Sequence, residues 1–267
     1  MATILTISNH KGGVGKTTTV HNLADALARR KLRVLAIDLD PQANLSSVLL
    51  KDVHPSTIKD TVAELLMETA TLDACVIADT NLSGVSLISA ALRLSNVERK
   101  LQQDDYAPAT KLSDHLARIG DHYDVVLIDT PPSLGILTAN AMVASDYYII
   151  PLDAGSRFGL EGTADFQDMA KRIRKINPRL KLAGVLLTRY DGRKMVCTEI
   201  ENVVQTEFER VFKAHLSSAT LIQKGEMAQQ TVLQLDRQSK AAKEYVALAN
   251  ELIGICGLKD KARKETE

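Results

Sequence analysis

The chain has 267 residues, 45% of them hydrophobic, so it can bury a sizeable core as one large α/β domain or two small ones. Its 33 basic and 33 acidic residues balance, which excludes a whole-protein field that would attract a polyanion. The three cysteines are widely spaced and form no C-x-x-C pair, which argues against a disulfide framework or a zinc site and fits a reducing compartment.

Two further features bear on location and partners. No apolar run approaches the ~18 residues of a membrane span, and the N-terminus leads directly into a strand without a signal-peptide pattern. We therefore expect a cytoplasmic location and no membrane partner. Without tryptophan and with 4% aromatic residues, the chain is poorly suited to stack single-stranded nucleic acid.

A glycine-rich stretch, residues 11–19, follows a β-branched run over residues 3–7 and precedes a helical pattern that begins near Lys16. A strand, a glycine-rich turn and a helix start are the context of a phosphate-binding loop. Glycines there let several backbone N–H groups point into one concavity, and the helix adds its positive end. Lys16 can reach the β- and γ-phosphates, and the Thr17 hydroxyl can ligate Mg²⁺.

The loop departs from the spacing G-x-x-x-x-G-K-[ST], because His10 holds the place of the first glycine and Lys11 follows it. The pattern is K-G-G-x-G-K-[ST], the deviant Walker A form. Its second lysine could reach the phosphates of a nucleotide held by a second copy of the chain. The alternative is a solvated loop lysine beside an ordinary nucleotide site.

Two predicted strands end in acidic residues. The run 33–37 leads into Asp38 and Asp40, and the buried run 125–128 leads into Asp129, as in a Walker B strand. Alternation along a strand sends Asp38 and Asp40 to the same side, so both are expected to face the phosphate loop. Asp129 is expected to meet Mg²⁺ through water. The alternative is that all three simply cap turns.

Other segments give coarser expectations. The pattern predicts a helix over 56–70 capped by Ser56 or Thr57, strands over 74–77, 85–88 and 147–150, and a helix-rich stretch over 91–119. The apolar stripe of the last helix, 241–255, predicts core packing. The tail 258–267 has no bulky apolar residue after Leu258 and makes a poor membrane-binding helix.

Positions 169–194 contain nine basic residues and one acidic residue, which gives a local charge of +8. Such a run is more often a solvated face than a binding site. The asymmetry also suits the phosphate backbone of double-stranded DNA, which needs no base-reading chemistry. The run spans the end of one helix, a strand over 185–187 and the start of the next helix. The candidate DNA contacts are Arg172, Lys175, Arg189, Arg193, Lys194 and, further on, Lys224.

The stretches 11–19, 38–44 and 125–133 together resemble the ParA/MinD group of P-loop ATPases, and the ParA branch most closely. The resemblance covers roughly residues 2–256 and weakens after residue 211. It implies an α/β P-loop NTPase fold, with a mostly parallel twisted sheet flanked by helices on both faces. It also implies a single ATPase domain over 1–257 with a short charged tail over 258–267.

The same resemblance implies ATP and Mg²⁺ as cofactors and assigns roles to the motif residues. Asp40 would position or polarise the attacking water, and Asp38 would support the Mg²⁺ shell or the loop, while Gln42 and Asn44 would line the pocket. The implied catalytic residues are Lys11, Lys16 and Asp40. The implied metal site is Thr17, Asp38 and Asp129. The implied nucleotide contacts are Lys11, Gly12, Gly13, Val14, Gly15, Lys16, Thr17, Thr18 and Asp129.

The implied function is a switch that forms a homodimer sandwich with ATP and binds double-stranded DNA non-specifically. It would partition or position a cargo with an adaptor protein of the ParB type or an analogue that stimulates hydrolysis, and it would associate with the nucleoid when ATP-bound. The chain departs from the family at 216–218, where Ile-Pro-Arg is common and Leu-Ser-Ser stands here. Residues that could compensate are Lys213, Lys224, Arg237, Lys240 and Lys243.

Three other classes share parts of this pattern. A MinD-like membrane-surface ATPase needs a C-terminal amphipathic helix, which the tail lacks. A redox ATPase like the iron protein of nitrogenase needs a cysteine shortly after the Walker B strand, and residues 130–145 contain none. A metabolic P-loop enzyme, such as a relative of dethiobiotin synthetase, would turn over a small acceptor.

Overall fold

The computed structural model describes residues 2–104, 108–156, 160 and 162–258. The strands are β1 (Thr3–Ile7), β2 (Val34–Asp38), β3 (Val76–Ile77), β4 (Val85–Ile88), β5 (Val125–Asp129), β6 (Tyr147–Asp153) and β7 (Lys181–Thr188). The helices are α1 (Lys16–Ala28), α2 (Asn44–Leu49), α3 (Val62–Leu66), α4 (Leu72–Cys75), α5 (Leu94–Asp104), α6 (Lys111–Leu116), α7 (Ile136–Ala144), α8 (Thr163–Ile173), α9 (Met195–Glu207), α10 (Thr220–Ala228), α11 (Val232–Leu235) and α12 (Lys240–Cys256), with a 3₁₀ turn at Pro55–Thr57.

The strands form one sheet in the order β3-β4-β2-β5-β1-β6-β7. All neighbouring pairs are parallel except β3 and β4, which are antiparallel. Because parallel strands need helical crossovers, helices cover both faces of such a sheet. The expected mostly parallel sheet is therefore confirmed.

The central strand β5 shows how the two faces are built. Val125 and Leu127 belong to the core that packs against α1 and α12, whereas Val126 and Ile128 belong to the core against α3, α5 and α7. Successive strand residues point to opposite faces, so a continuous apolar run fills both cores. No helix within the described ranges is long and apolar enough to cross a bilayer.

The helix predicted over 56–70 is wrong. Instead a 3₁₀ turn ends before Ile58, and α3 begins only after Thr61, whose hydroxyl accepts a hydrogen bond from the Ala63 N–H. The Glu64 carboxylate in turn accepts from the Thr61 N–H at 3.0 Å, which completes a capping box. The Arg93 guanidinium donates a hydrogen bond to the Ile58 carbonyl at 2.8 Å. In a continuous helix that oxygen would instead accept from a backbone N–H.

The strand predicted over 74–77 is half as long as expected. Thr71 caps a short helix by accepting from the Ala74 N–H at 3.3 Å, and α4 therefore includes Ala74 and Cys75. Of the four residues in the predicted strand, only Val76 and Ile77 pair with β4. The last helix was predicted correctly, since α12 buries Tyr245, Leu248 and Leu252 among other residues. The predicted tail lies, after Leu258, outside the described residues.

Candidate functional site

The carboxyl ends of three neighbouring strands meet at the centre of the sheet. β5 lies between β1 and β2, and Asp129 at its end is in register with Ile7 on one side and Asp38 on the other. The loop after β1 lies at this edge, and α1 begins at its end. Gly13 and Gly15 have φ angles of 72° and 87°, a left-handed conformation that glycine adopts without strain. These glycines therefore let the loop curl as the sequence predicts.

A cavity of about 670 Å³ opens beside this loop, which is within the usual range of small-molecule sites. We call one part of its lining the loop end; it consists of residues 12–18 with Asp40, Gln42 and Asn44. We call the other part the distal end; it consists of Thr188, Arg189, residues 216–219, Ile222, Gln223, Glu226 and Tyr245. Gln42 and Asn44 were predicted to line the pocket, and they do.

Lys16 lies in the loop end with only 7% of its surface exposed. Its Nζ donates a hydrogen bond to the main-chain carbonyl of Lys11 at 3.0 Å. Burial lowers the pKa of Lys16, and the carboxylates of Asp129 and Asp40 oppose that shift. The ammonium is thus held at the mouth of the loop by a backbone oxygen and two nearby carboxylates.

Thr17 and Asp129 form the base of the loop end. The Thr17 hydroxyl donates to Asp129 Oδ2 at 2.6 Å, and Asp129 is fully buried. Burial and the neighbouring Asp38 raise the pKa of Asp129, while the Thr17 hydrogen bond and Lys16 oppose the rise. Asp129 Oδ1 is buried and has no hydrogen-bond partner among the described residues.

An unpartnered buried carboxylate oxygen beside a threonine hydroxyl fits an oxygen-ligated cation. No group of three His, Cys, Asp or Glu side chains in the described part of the chain could hold a metal ion. An ion here therefore depends on Thr17, Asp129 and the oxygens of a bound ligand. That division of ligands is typical of Mg²⁺ bound with phosphates.

Asp38 and Asp40 do not share the role that strand alternation suggested. Asp40 lines the cavity, and its Oδ1 accepts from the Gln42 N–H at 2.9 Å. Asp38 is fully buried and is not among the lining residues; its oxygens accept from the Asp40 N–H at 3.0 Å and from the N–H and hydroxyl of Ser46, each at 2.8 Å. Burial raises the pKa of Asp38 to about 6, opposed by the Ser46 hydrogen bonds. The expectation that both carboxylates face the loop is met by Asp40 alone.

Lys11 begins the loop but is not among the residues that line the cavity. Its N–H donates to the Asn9 side chain at 3.1 Å, and its carbonyl accepts from Lys16. The contact of Lys11 with a nucleotide in a second copy stays a prediction.

The distal end was missed by sequence reasoning. The Thr188 hydroxyl, at the end of β7, donates to the Val14 carbonyl at 3.0 Å and so joins this strand to the glycine loop. Leu216 pairs with β7 beyond it, since its N–H donates to the Leu187 carbonyl at 2.9 Å. The departure from Ile-Pro-Arg at 216–218 is the sequence signal that marks this region.

α10 lies beside the cavity with few buried contacts. Of its nine residues only Gly225 is buried. Glu226 accepts a hydrogen bond from the Thr18 hydroxyl of the glycine loop at 2.7 Å, and Gln229 donates to the Ser47 carbonyl at 2.8 Å. A carboxylate of the distal end therefore occupies the Thr18 hydroxyl, where an incoming anion would compete with it.

The basic run of 169–194 does not form one patch. Arg172 and Lys175 lie around the C-terminal end of α8, before β7 begins, whereas Arg189, Arg193 and Lys194 follow its end. Eight strand residues span about 25 Å, so the two groups lie near opposite ends of β7. Arg189 bonds Asp153 at 2.7 Å, and Arg193 bonds Asp191 at 2.9 Å. The run therefore forms two exposed groups, and Lys224 lies on α10.

Comparisons with known proteins agree with this geometry. A family model described as an AAA domain matches residues 2–182. The chromosome partitioning protein ParA of Caulobacter vibrioides is 38% identical over 255 residues, which cover 94% of this chain and 93% of that protein. The sporulation initiation inhibitor protein Soj of Bacillus subtilis is 32% identical over 254 residues, covering 94% of this chain and 98% of Soj.

Among solved structures, a cobyrinic acid a,c-diamide synthase from Mycobacterium smegmatis matches with a TM-score of 0.81 and 30% identity. The match covers 94% of this chain and 93% of that one. That structure contains a bound ATP analogue and magnesium.

Proposed function

The chain belongs to the ParA group of the AAA-domain family of P-loop ATPases, and from that premise we propose that it is a dimerising, DNA-binding switch. It hydrolyses ATP with Mg²⁺ and serves in positioning or partitioning. We further propose that the ATP-bound dimer binds DNA non-specifically, and that an adaptor protein on the cargo stimulates hydrolysis and release.

The observation that carries the proposal is the Thr17–Asp129 pair below the glycine loop, with one buried Asp129 oxygen unpartnered among the described residues. Bound there, Mg²⁺ supplies charge neutralisation of the phosphates. Lys16 holds its ammonium at the same end of the cavity, ready for phosphate oxygens. A triphosphate bound with Mg²⁺ would use both the cation site and the lysine.

Hydrolysis transfers the terminal phosphoryl group to water, and it depends chiefly on positioning and on charge stabilisation. Asp40 is the strand-end carboxylate that lines the cavity, so we assign it to hold the attacking water. The Asp38 carboxylate accepts hydrogen bonds from the Asp40 N–H and from the N–H and hydroxyl of Ser46. We therefore assign Asp38 to support of the loop that carries Asp40, and the metal to Thr17 and Asp129.

The dimer would close face to face over the nucleotides, with each Lys11 reaching into the partner's site. Gly12 and Gly13 support this arrangement, because both are exposed at the surface of the loop. An added Cβ at Gly13 would meet nothing within 4 Å, so the loop leaves open space there.

For DNA we propose the basic group that follows the end of β7, Arg189, Arg193 and Lys194. Arg189 also lines the distal end, which offers a physical link between the nucleotide and this group. Arg172 and Lys175 lie near the other end of β7, and neither of them lines the cavity. Association with the nucleoid in the ATP-bound state follows from this proposal.

The match to a protein called a synthase does not redirect the proposal. Similar folds serve unrelated reactions, so a shared fold carries no acceptor chemistry. The ParA and Soj relatives match along nearly their whole length, and the twin-lysine loop belongs to the same resemblance.

A mobility-shift assay with unrelated duplex DNA tests the proposal, run with ATP, ADP and no nucleotide across a salt series. We expect a shift with ATP alone that weakens steeply as salt rises. Arg193→Ala with Lys194→Ala should weaken the shift, and the matched pair Arg172→Ala with Lys175→Ala should leave it unchanged. Equal shifts with ATP, with ADP and without nucleotide would contradict the switch.

A further inference from the structure

Two glutamates on one face of α12 hold the loop that leads into the distal end. Glu251 accepts from the Lys213 N–H at 2.9 Å and from the Ala214 N–H at 2.6 Å. Two helical turns earlier, Glu244 accepts from the N–H and the hydroxyl of Ser217, at 2.8 and 2.9 Å. Each carboxylate thus binds two donors of the same loop, which is a strong charge-assisted arrangement.

Only one of these clamps acts on the cavity wall. Ser217 lines the cavity, whereas Lys213 and Ala214 do not. Glu244 lies behind Ser217, with 15% of its side chain exposed, and is not itself among the lining residues. Its contact with Lys240 is long, at 3.6 Å, so the Ser217 bonds are its principal interaction.

Residue 217 needs such a clamp because it is a serine. A proline at this place would fix its own φ covalently and would offer no N–H. Serine leaves φ free and adds two donors. The Glu244 carboxylate takes both donors and so restricts the backbone from outside.

The rest of a bound nucleotide would extend from the loop end into the remainder of the same cavity. With the phosphates at the loop end, the distal end offers the base and ribose a wall. There the apolar side chains of Leu216 and Ile222 and the ring of Tyr245 form part of the wall. Such a wall suits a base, and its shape depends on how the loop through Ser217 is held.

We propose that Glu244 is a positioning residue for the nucleoside part of ATP, acting through Ser217. This inference rests on the proposed function, because it requires ATP in this cavity. Glu244 touches neither the glycine loop nor the Thr17–Asp129 pair in the described hydrogen bonds, so it leaves the binding of phosphates alone. Its removal should therefore weaken the nucleoside contacts selectively.

The test is calorimetric titration of wild type and variants with Mg-ATP and with Mg-inorganic triphosphate, which has phosphates but no nucleoside. Glu244→Ala should weaken ATP binding roughly tenfold and leave triphosphate binding within about twofold. Glu244→Gln keeps an acceptor oxygen at the same place, so it should recover most of the ATP affinity. Exchange of the Ser217 amide should quicken in Glu244→Ala, which retains the fold.

Glu251→Ala is the matched control, because it removes the same kind of clamp from a part of the loop outside the cavity. It should leave the ratio of ATP to triphosphate affinity at the wild-type value. The inference is overturned if Glu244→Ala leaves ATP affinity unchanged, if it weakens both ligands equally, or if Glu251→Ala changes the ratio as much. If wild type binds neither ligand, the proposed function itself has failed, and this inference fails with it.

Discussion

The two ends of the cavity are built in different ways. The loop end comes from the short segments that follow two central strands, β1 and β2, and both Lys16 and Asp129 below it are buried. The distal end is assembled from β7, a loop, α10 and α12, through bonds such as Thr18–Glu226, which joins residues 208 positions apart. α10 buries only one of its residues there.

This difference suggests a division of work. Groups fixed in a buried core keep one geometry and suit chemistry that every turnover repeats. Exposed elements with few buried contacts open at low free-energy cost and suit entry, release and response to a partner. We therefore expect the loop end to determine whether the triphosphate binds at all, and the distal end to adjust how tightly the nucleotide is held.

Lys16→Ala gives the largest expected effect. It removes a buried positive charge from the loop end, and ATP affinity should fall by roughly a hundredfold or more. The measurement is a titration with Mg-ATP by calorimetry or by fluorescence of a labelled analogue.

Lys175→Ala is its matched control. Lys175 is exposed and does not line the cavity. ATP affinity should therefore stay within about threefold of wild type, since the buried ammonium is untouched. A Lys16→Ala protein that titrates like wild type would remove the loop end from the account.

Glu226→Gln gives a smaller effect of the opposite sign. It removes the negative charge that α10 places beside Thr18. Because that charge repels an incoming phosphate, ATP should bind roughly threefold more tightly and depend less on salt. Glu199→Gln, an exposed carboxylate on α9, is the control and should change nothing. Tighter binding in both variants, or in neither, would show that the α10 carboxylate does not compete with the nucleotide.

The loop end could be predicted from sequence because each of its parts directly follows a strand that the pattern shows. The strand over Thr3–Ile7, the glycine loop and the helix from Lys16 follow one another, and Asp129 follows an unbroken apolar run. Asp38 could not be assigned in this way. Strand alternation sends it to the same side as Asp40, but its Oδ2 accepts both hydrogen bonds of Ser46, eight positions away, in a helix that the pattern did not reveal.

The distal end could not be predicted because its bonds join distant segments. Glu244 and Ser217 are 27 positions apart, and nothing in the spacing marks them as partners. The basic run shows the opposite relation, since its residues are neighbours in sequence but β7 separates them to opposite ends of the strand. The prediction of a helix over 56–70 was wrong because Arg93, far along the chain, donates hydrogen bonds to the carbonyls of Ile58 and Lys59. A helix would have used those carbonyls as backbone acceptors.

The central claim is that ATP brings two copies of the chain together over this cavity. Its most direct test is the molar mass of the Asp40→Ala variant in solution by light scattering, with ATP and with ADP. Without the carboxylate that holds the attacking water, the closed state should accumulate, and the mass should double from 29.2 kDa with ATP only. A variant that binds ATP but keeps a mass of 29.2 kDa with either nucleotide would contradict the account.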